Sequence, residues 1–245
     1  MQNFIQKKYI TMMWILAIIL TFTGFVFADE IHVAIIDSGA RGYADEGVSF
    51  TSYSAVKDPL DHGTQIAKLI RQGNPTVRIH MLQVCDKIDG VLKPSRNAIL
   101  QAVKWCIENK MDIVNMSLVI NYDREIEELI NNAATSHGIL FIAAAGNRTI
   151  NSHFAADQDG FMHRASKLSS TFPAFNPHVI AVGGLNERGK IAGYSNKICD
   201  IYEKGKILGQ EGSSFACARI TSRVARILSV YPLSTKEEIL SYLNL

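Results

Sequence analysis

"IHVAIIDSG" occupies residues 31–39 and sets the reading of the whole chain. Five of the six residues from Ile31 to Ile36 are apolar, with no alternating polar face, and the run stops at Asp37-Ser38-Gly39. A short apolar run closed by turn residues is a strand buried on both faces. After a polar loop, "HGTQIAKLIR" (62–71) places Ile66, Leu69 and Ile70 on one helical face. "VRIHMLQV" (77–84) reads as a strand and "RNAILQAVKWCIENK" (96–110) as a helix with Ile99, Val103 and Ile107 inward. "DIVNMSLVI" (112–120) is again strand-like. "DREIEELINNAATSHG" (123–138) is an amphipathic helix stopped by Gly138. "ILFIAAAGN" (139–147) and "HVIAVGG" (178–184) are buried strands, and a last long helix follows "GSS" at 212–214. Strands alternating with helices give an α/β fold, a doubly wound parallel sheet with helices on both faces. No repeat, low-complexity tract or linker divides it, so residues 29–245 form one expected domain.

The first 28 residues stand apart. Lys7 and Lys8 precede an uncharged apolar run from Tyr9 to Ala28, and Val26-Phe27-Ala28 is followed by Asp29-Glu30. That order reads as a signal peptide, residues 1–28. An uncleaved anchor over residues 9–28 is the alternative, since the run is long enough to span a bilayer. Either way the remainder is expected outside the cytoplasm, periplasmic or extracellular. Removing 28 of the 245 residues leaves 217, and takes away two of 25 basic and none of 23 acidic residues. The rest is formally neutral, which argues against nucleic acid and against a cationic partner. After cleavage no membrane association is expected. The four cysteines, Cys85, Cys106, Cys199 and Cys217, match no zinc spacing. An exported chain permits three disulfide pairings among them, but free thiols are the simpler reading, Cys106 and Cys217 falling within helical segments.

Ligands of such sheets bind beyond the carboxyl ends of the strands, and Asp37, Ser117 and Asn147 lie at or just past those ends. His62 opens the first helix and Ser214 the last long one. Each has an ordinary reading, as a turn residue, a capping histidine or a helix N-cap. Together they supply what nucleophilic catalysis requires: a hydroxyl, a base to take its proton, and a carboxylate to fix the base's tautomer. A helix start at Ser214 also offers backbone N–H groups to a developing oxyanion.

"AIIDSGA" (34–40), "DHGTQIA" (61–67), "AAAGN" (143–147) and "GSSFACA" (212–218) resemble the Asp, His, oxyanion-Asn and Ser blocks of the subtilisin-like serine proteases, in that family's chain order. "AVKWCIENKMDIVNMSL" (102–118) and "FPAFNPHVIAVGG" (172–184) resemble further family segments. The resemblance implies a subtilisin-like three-layer sandwich and an exported serine endopeptidase acting on peptide or protein substrates, with no cofactor. Ser214 would be the nucleophile, His62 the base and then acid, and Asp37 its orienting partner. The Asn147 side chain and the Ser214 N–H would form the oxyanion hole. Ser117, Leu118 and Val119 would lie in a strand pairing with the substrate backbone. Ser213 takes the place of the small residue, commonly Thr, that precedes the nucleophile.

Four departures accompany the likeness. Val119 stands where the family usually has Gly, and Ala218 where it has Pro. Only "QGNPT" (72–76) separates the first helix from the next strand, too short for the family's usual calcium loop. No metal site is therefore expected, and Asp157-Gln158-Asp159-Gly160 reads as a solvated loop. The segment preceding the first strand also holds no evident folding pro-domain. The alternative function is a catalytically impaired relative that binds peptides or a partner protein. A small-molecule binder with the same sheet would explain the strands but not the four blocks.

Overall fold

The computed structural model describes residues 30–88, 90–147, 155–156, 162–163 and 171–244. The leader expected over 1–28 and the Asp157–Gly160 stretch lie outside the described residues. Seven strands make one parallel sheet: β1 (His32–Asp37), β2 (Glu46–Ser49), β3 (Arg78–Gln83), β6 (Ile113–Met116), β7 (Leu140–Ala144), β10 (Val179–Leu185) and β11 (Ile201–Lys204). Their spatial order is β11-β10-β7-β6-β1-β3-β2. Short antiparallel ribbons pair β4 (Cys85–Ile88) with β5 (Val91–Pro94), β8 (Ala155–Ala156) with β9 (Met162–His163), and β12 (Lys206–Ile207) with β13 (Gln210–Glu211). The helices are α1 (His62–Gly73), α2 (Arg96–Glu108), α3 (Arg124–His137), α4 (Ser213–Leu228) and α5 (Lys236–Leu243).

β1 shows why the sheet needs two covers. Val33 and Ile35 enter one core with Ile66 and Ile70 of α1 and Phe215, Ile220 and Val224 of α4. Ala34 and Ile36 enter a second core with Ile99 and Val103 of α2 and Ile126 and Ile130 of α3. Side chains alternate along a strand, so an uninterrupted apolar run demands apolar partners above and below. The fold is thus a three-layer α/β sandwich. Its helices differ in how they start. α3 is capped by the Asp123 side chain, which accepts from the Ile126 N–H, and α5 by a Thr235–Glu238 capping box.

Three features depart from the sequence reading. β2 emerges from the stretch taken as a loop; it is an edge strand with three of four residues exposed, so it carries no apolar run. β11 forms the opposite edge and, with one of its four residues buried, likewise carries no apolar run. β6 ends at Met116, not at Ile120, because its ladder to β1 and β7 stops there and the Ser117 carbonyl accepts from a side chain instead. All four cysteines are free thiols.

Phe141 is fully buried at the centre of β7, within the core under α2 and α3. Phe141→Ala is expected to cost about 3–5 kcal/mol. The melting temperature should fall on the order of 10 °C by circular dichroism. A change of a degree or less would mean that this core does not carry the fold.

Candidate active site

Asp37 closes β1 at the carboxyl edge of the sheet, and His62 is the first residue of α1. His62 Nδ1 stands 2.9 Å from Asp37 Oδ1 and 3.0 Å from Oδ2. A carboxylate only accepts, so Nδ1 carries the proton and Nε2 is left as the basic nitrogen. The approach depends on Gly63. A Cβ there would press on the Gly39 carbonyl oxygen and lie 3.1 Å from Asp37 Oδ1. Asp37 is buried and is held further by the Ser38 N–H at 2.7 Å, with Ser38 Oγ 3.1 Å away. The His62 side chain remains 33% exposed. The Asp37 charge raises the histidine's pKa above its ordinary value; partial burial opposes this, and the bond to Asp37 and the charge of Asp58 add to it.

Two adjacent serines at the start of α4 point to different partners, and the helix begins at Ser213, one residue before the expected start. Ser213 is buried; its N–H and hydroxyl donate to Asn147 Oδ1 at 2.9 and 3.1 Å. That commits the amide oxygen of Asn147 as an acceptor and leaves its NH2 as the donating end. The half-buried Ser214 donates its hydroxyl to the Ser117 carbonyl at 2.8 Å, and Ser117 Oγ donates to the Ser214 carbonyl at 3.0 Å. The ring of Phe215, the next residue, sits 6.2 Å from the His62 ring.

The structure therefore joins Asp37 to His62 and Ser117 to Ser214, and joins Asn147 to the neighbouring Ser213. Ser117, Leu118 and Val119 do not form a strand: they follow the end of β6, with Ser117 buried, Leu118 half-buried and Val119 40% exposed. Beneath them, buried Asn115 donates to Cys217 Sγ at 3.2 Å and to Thr221 Oγ1 at 2.8 Å, fastening β6 to α4. Burial pushes the Cys217 thiol up to about 12, so it stays neutral. Asp58, buried behind His62, carries no periodic signal in the sequence and went unread there, and Ser38, also buried, was read only as a turn residue.

The model of the Subtilase family matches residues 25–244, and the chain belongs to that family. Among curated relatives, the minor extracellular protease Epr of Bacillus subtilis strain 168 is 32% identical over 68% of this chain and 25% of its own length. The thermostable alkaline protease of Halalkalibacterium halodurans is 25% identical over 89% of this chain and 62% of its own. For subtilisin E of B. subtilis strain 168 the figures are 26%, 86% and 58%. The chain thus spans less than two thirds of the length of each of these. Among solved structures, a cold adapted subtilisin-like serine proteinase superposes with a TM-score of 0.69 at 20% identity, covering 89% of this chain and 82% of that one. A lanthipeptide protease gives 0.65 at 21%, covering 86% and 78%. These structural likenesses are of fold. Among the described residues no helix is long and apolar enough to cross a membrane.

The raised His62 pKa has a definite sign. Folding favours the imidazolium, so its stabilisation is complete below the ordinary histidine pKa and is lost as pH rises through the folded value. Asp37→Asn removes the main cause. The His62 titration followed by NMR should move to lower pH in that variant. An unmoved midpoint would show that Asp37 does not govern the imidazole.

Proposed function

We propose that the chain is an exported serine endopeptidase in which Ser214 attacks the peptide carbonyl. The observation that carries this is the buried Asp37 carboxylate on His62 Nδ1, which leaves Nε2 as the base, with the imidazole 6.2 Å from the ring of Phe215 in the first turn of α4. As Ser214 Oγ bonds to the carbonyl carbon, its proton passes to His62 Nε2, and Asp37 stabilises the imidazolium. The oxyanion accepts from the Ser214 N–H and the Asn147 NH2, with the positive end of α4 behind it. Collapse of the tetrahedral species expels the amine, which takes the proton from His62. Water then repeats the sequence to release the acid and restore Ser214. The hydroxyl must first turn from the Ser117 carbonyl towards His62, a tightening common in unliganded sites. The segment 117–119 lies beside the substrate, with Val119 at the cleft.

Support for the protease reading comes from family membership and from relatives that are proteases; support for export comes from a relative named as extracellular. The sequence reading of a leader over 1–28 and a peptidase domain over 29–245 belongs to the same proposal. One observation favours the alternative of a peptide-binding relative without activity: the Ser214 hydroxyl is bonded to Ser117, not to His62.

A fluorophosphonate probe separates the two. It should label wild type and Ser213→Ala, but neither Ser214→Ala nor His62→Ala, since a hydroxyl without its base is a weak nucleophile. Asn147→Ala should still be labelled while cleaving about a hundredfold more slowly, the loss known for subtilisin's own oxyanion donor. Folded wild type that takes no label would establish the binding reading, and labelled Ser214→Ala would reassign the nucleophile.

Val119 gives a separate test. Val119→Gly should raise turnover of peptides with large side chains at the cleaved bond. An unchanged profile across a peptide library would place Val119 outside the cleft.

A further inference from the structure

Asp58 lies four residues ahead of His62 and is buried. Among the described residues it makes no ion pair; its charge is held by four donors. The Thr64 N–H and hydroxyl reach Oδ2, each at 2.7 Å. The Ser38 hydroxyl at 2.8 Å and the Leu60 N–H at 3.2 Å reach Oδ1.

Two of those bonds tie together the elements that carry Asp37 and His62. α1 follows Asp61, whose φ of 58° is left-handed and whose side chain makes no cap bond. That side chain turns instead to Arg41 and Gln65. The Thr64 N–H, third in the helix and normally bound by the N-cap residue, is taken by Asp58. The first turn of α1 is therefore pinned from behind by Asp58. On the other side, Ser38 Oγ is 2.8 Å from Asp58 Oδ1 and 3.1 Å from Asp37 Oδ1, and accepts the Gly63 N–H at 3.2 Å. One hydroxyl proton cannot serve both carboxylates at once, and the shorter distance favours Asp58. Asp37 is then left more available to His62.

We propose that Asp58 is a positioning residue for the His62–Asp37 pair: its carboxylate fixes the start of α1 against the end of β1 and places a second fixed negative charge behind the imidazole. The catalytic consequence rests on the protease reading; the structural and electrostatic one does not. The other groups around the pair leave room for this effect. The Cys85 thiol of β4 and the Cys217 thiol of α4 are each pushed up to about 12, mainly by burial, and are neutral. Arg41 and Asp61 pair with each other at the exposed side of the helix start. α4 presents the apolar ring of Phe215.

The test is Asp58→Asn in the full chain, which keeps the size and an acceptor for the Thr64 N–H but removes the charge. kcat on a peptide substrate should fall about tenfold or more, as misplacement of a base does, with KM within about twofold. The acid limb of kcat/KM and the NMR titration of His62 should both move to lower pH. Asp45→Asn is the control: it breaks the contact with Arg71 near the far end of α1 and should lower the melting temperature without moving either pH readout. Folded Asp58→Asn with wild-type kcat and an unmoved His62 titration overturns the proposal. Should Asp58→Asn not fold, Thr64→Val removes one 2.7 Å donor and leaves both charges. It should lower kcat at unchanged KM, and unchanged kcat would overturn the proposal instead. If wild type neither cleaves nor takes the serine probe, the protease reading fails, and the His62 titration alone decides the role of Asp58.

Discussion

β1 is the constraint on which the other elements depend. It pairs in parallel with β3 on one side and β6 on the other, and its alternate side chains are buried in two separate cores. A strand so placed admits no polar side chain along its length without cost. After His32 at its start, the next one comes where the strand ends, at Asp37. There the carboxylate is still buried, so it must be satisfied by donors on the spot, and Ser38 and His62 supply them. The same feature that anchors the core thus sets a charge at the sheet's edge and dictates that a histidine face it.

α4 makes the second half of the arrangement in another way. Successive helical residues point about 100° apart, so two adjacent serines in its first turn reach different neighbours. Ser213 goes to Asn147, just past β7, and Ser214 to Ser117, just past β6. The reciprocal bonds between Ser117 and Ser214 stitch the end of one strand to the start of the helix, and Asn115 repeats the stitch one layer down through Cys217 and Thr221. A helix start tied to two neighbouring strands has little freedom to drift, which is what the proposed chemistry asks of a nucleophile.

These two halves meet through packing as well as polarity. Phe215 brings α4 against His62, while Gly63 lets α1 come close enough to β1 for the imidazole to reach Asp37. Behind them Asp58 and Ser38 join the two elements through a chain of short hydrogen bonds. The charges of Asp37 and Asp58 both favour the imidazolium, and this is why His62 is the group whose titration reports on the whole assembly.

The sequence by itself determined the sheet's buried strands, the amphipathic helices and the residues at the strand ends. β1, β7 and β10 are apolar runs, and α3 has its closing glycine in plain view. Asp37, His62, Asn147 and Ser214 were legible as candidates because the family blocks around them are contiguous. The edge strands β2 and β11 were not, since a half-exposed strand leaves no periodic apolar trace. Nor was the end of β6, which depends on where its neighbours stop. Only the tertiary structure decided that Ser213 meets Asn147, that Ser214 rests on a carbonyl 97 residues away, and that Asp58 caps a helix from outside its own N-cap position. Periodicity records which face of an element is buried. Hydrogen bonds between distant segments are fixed by how closely those elements pack, and no local pattern carries that distance.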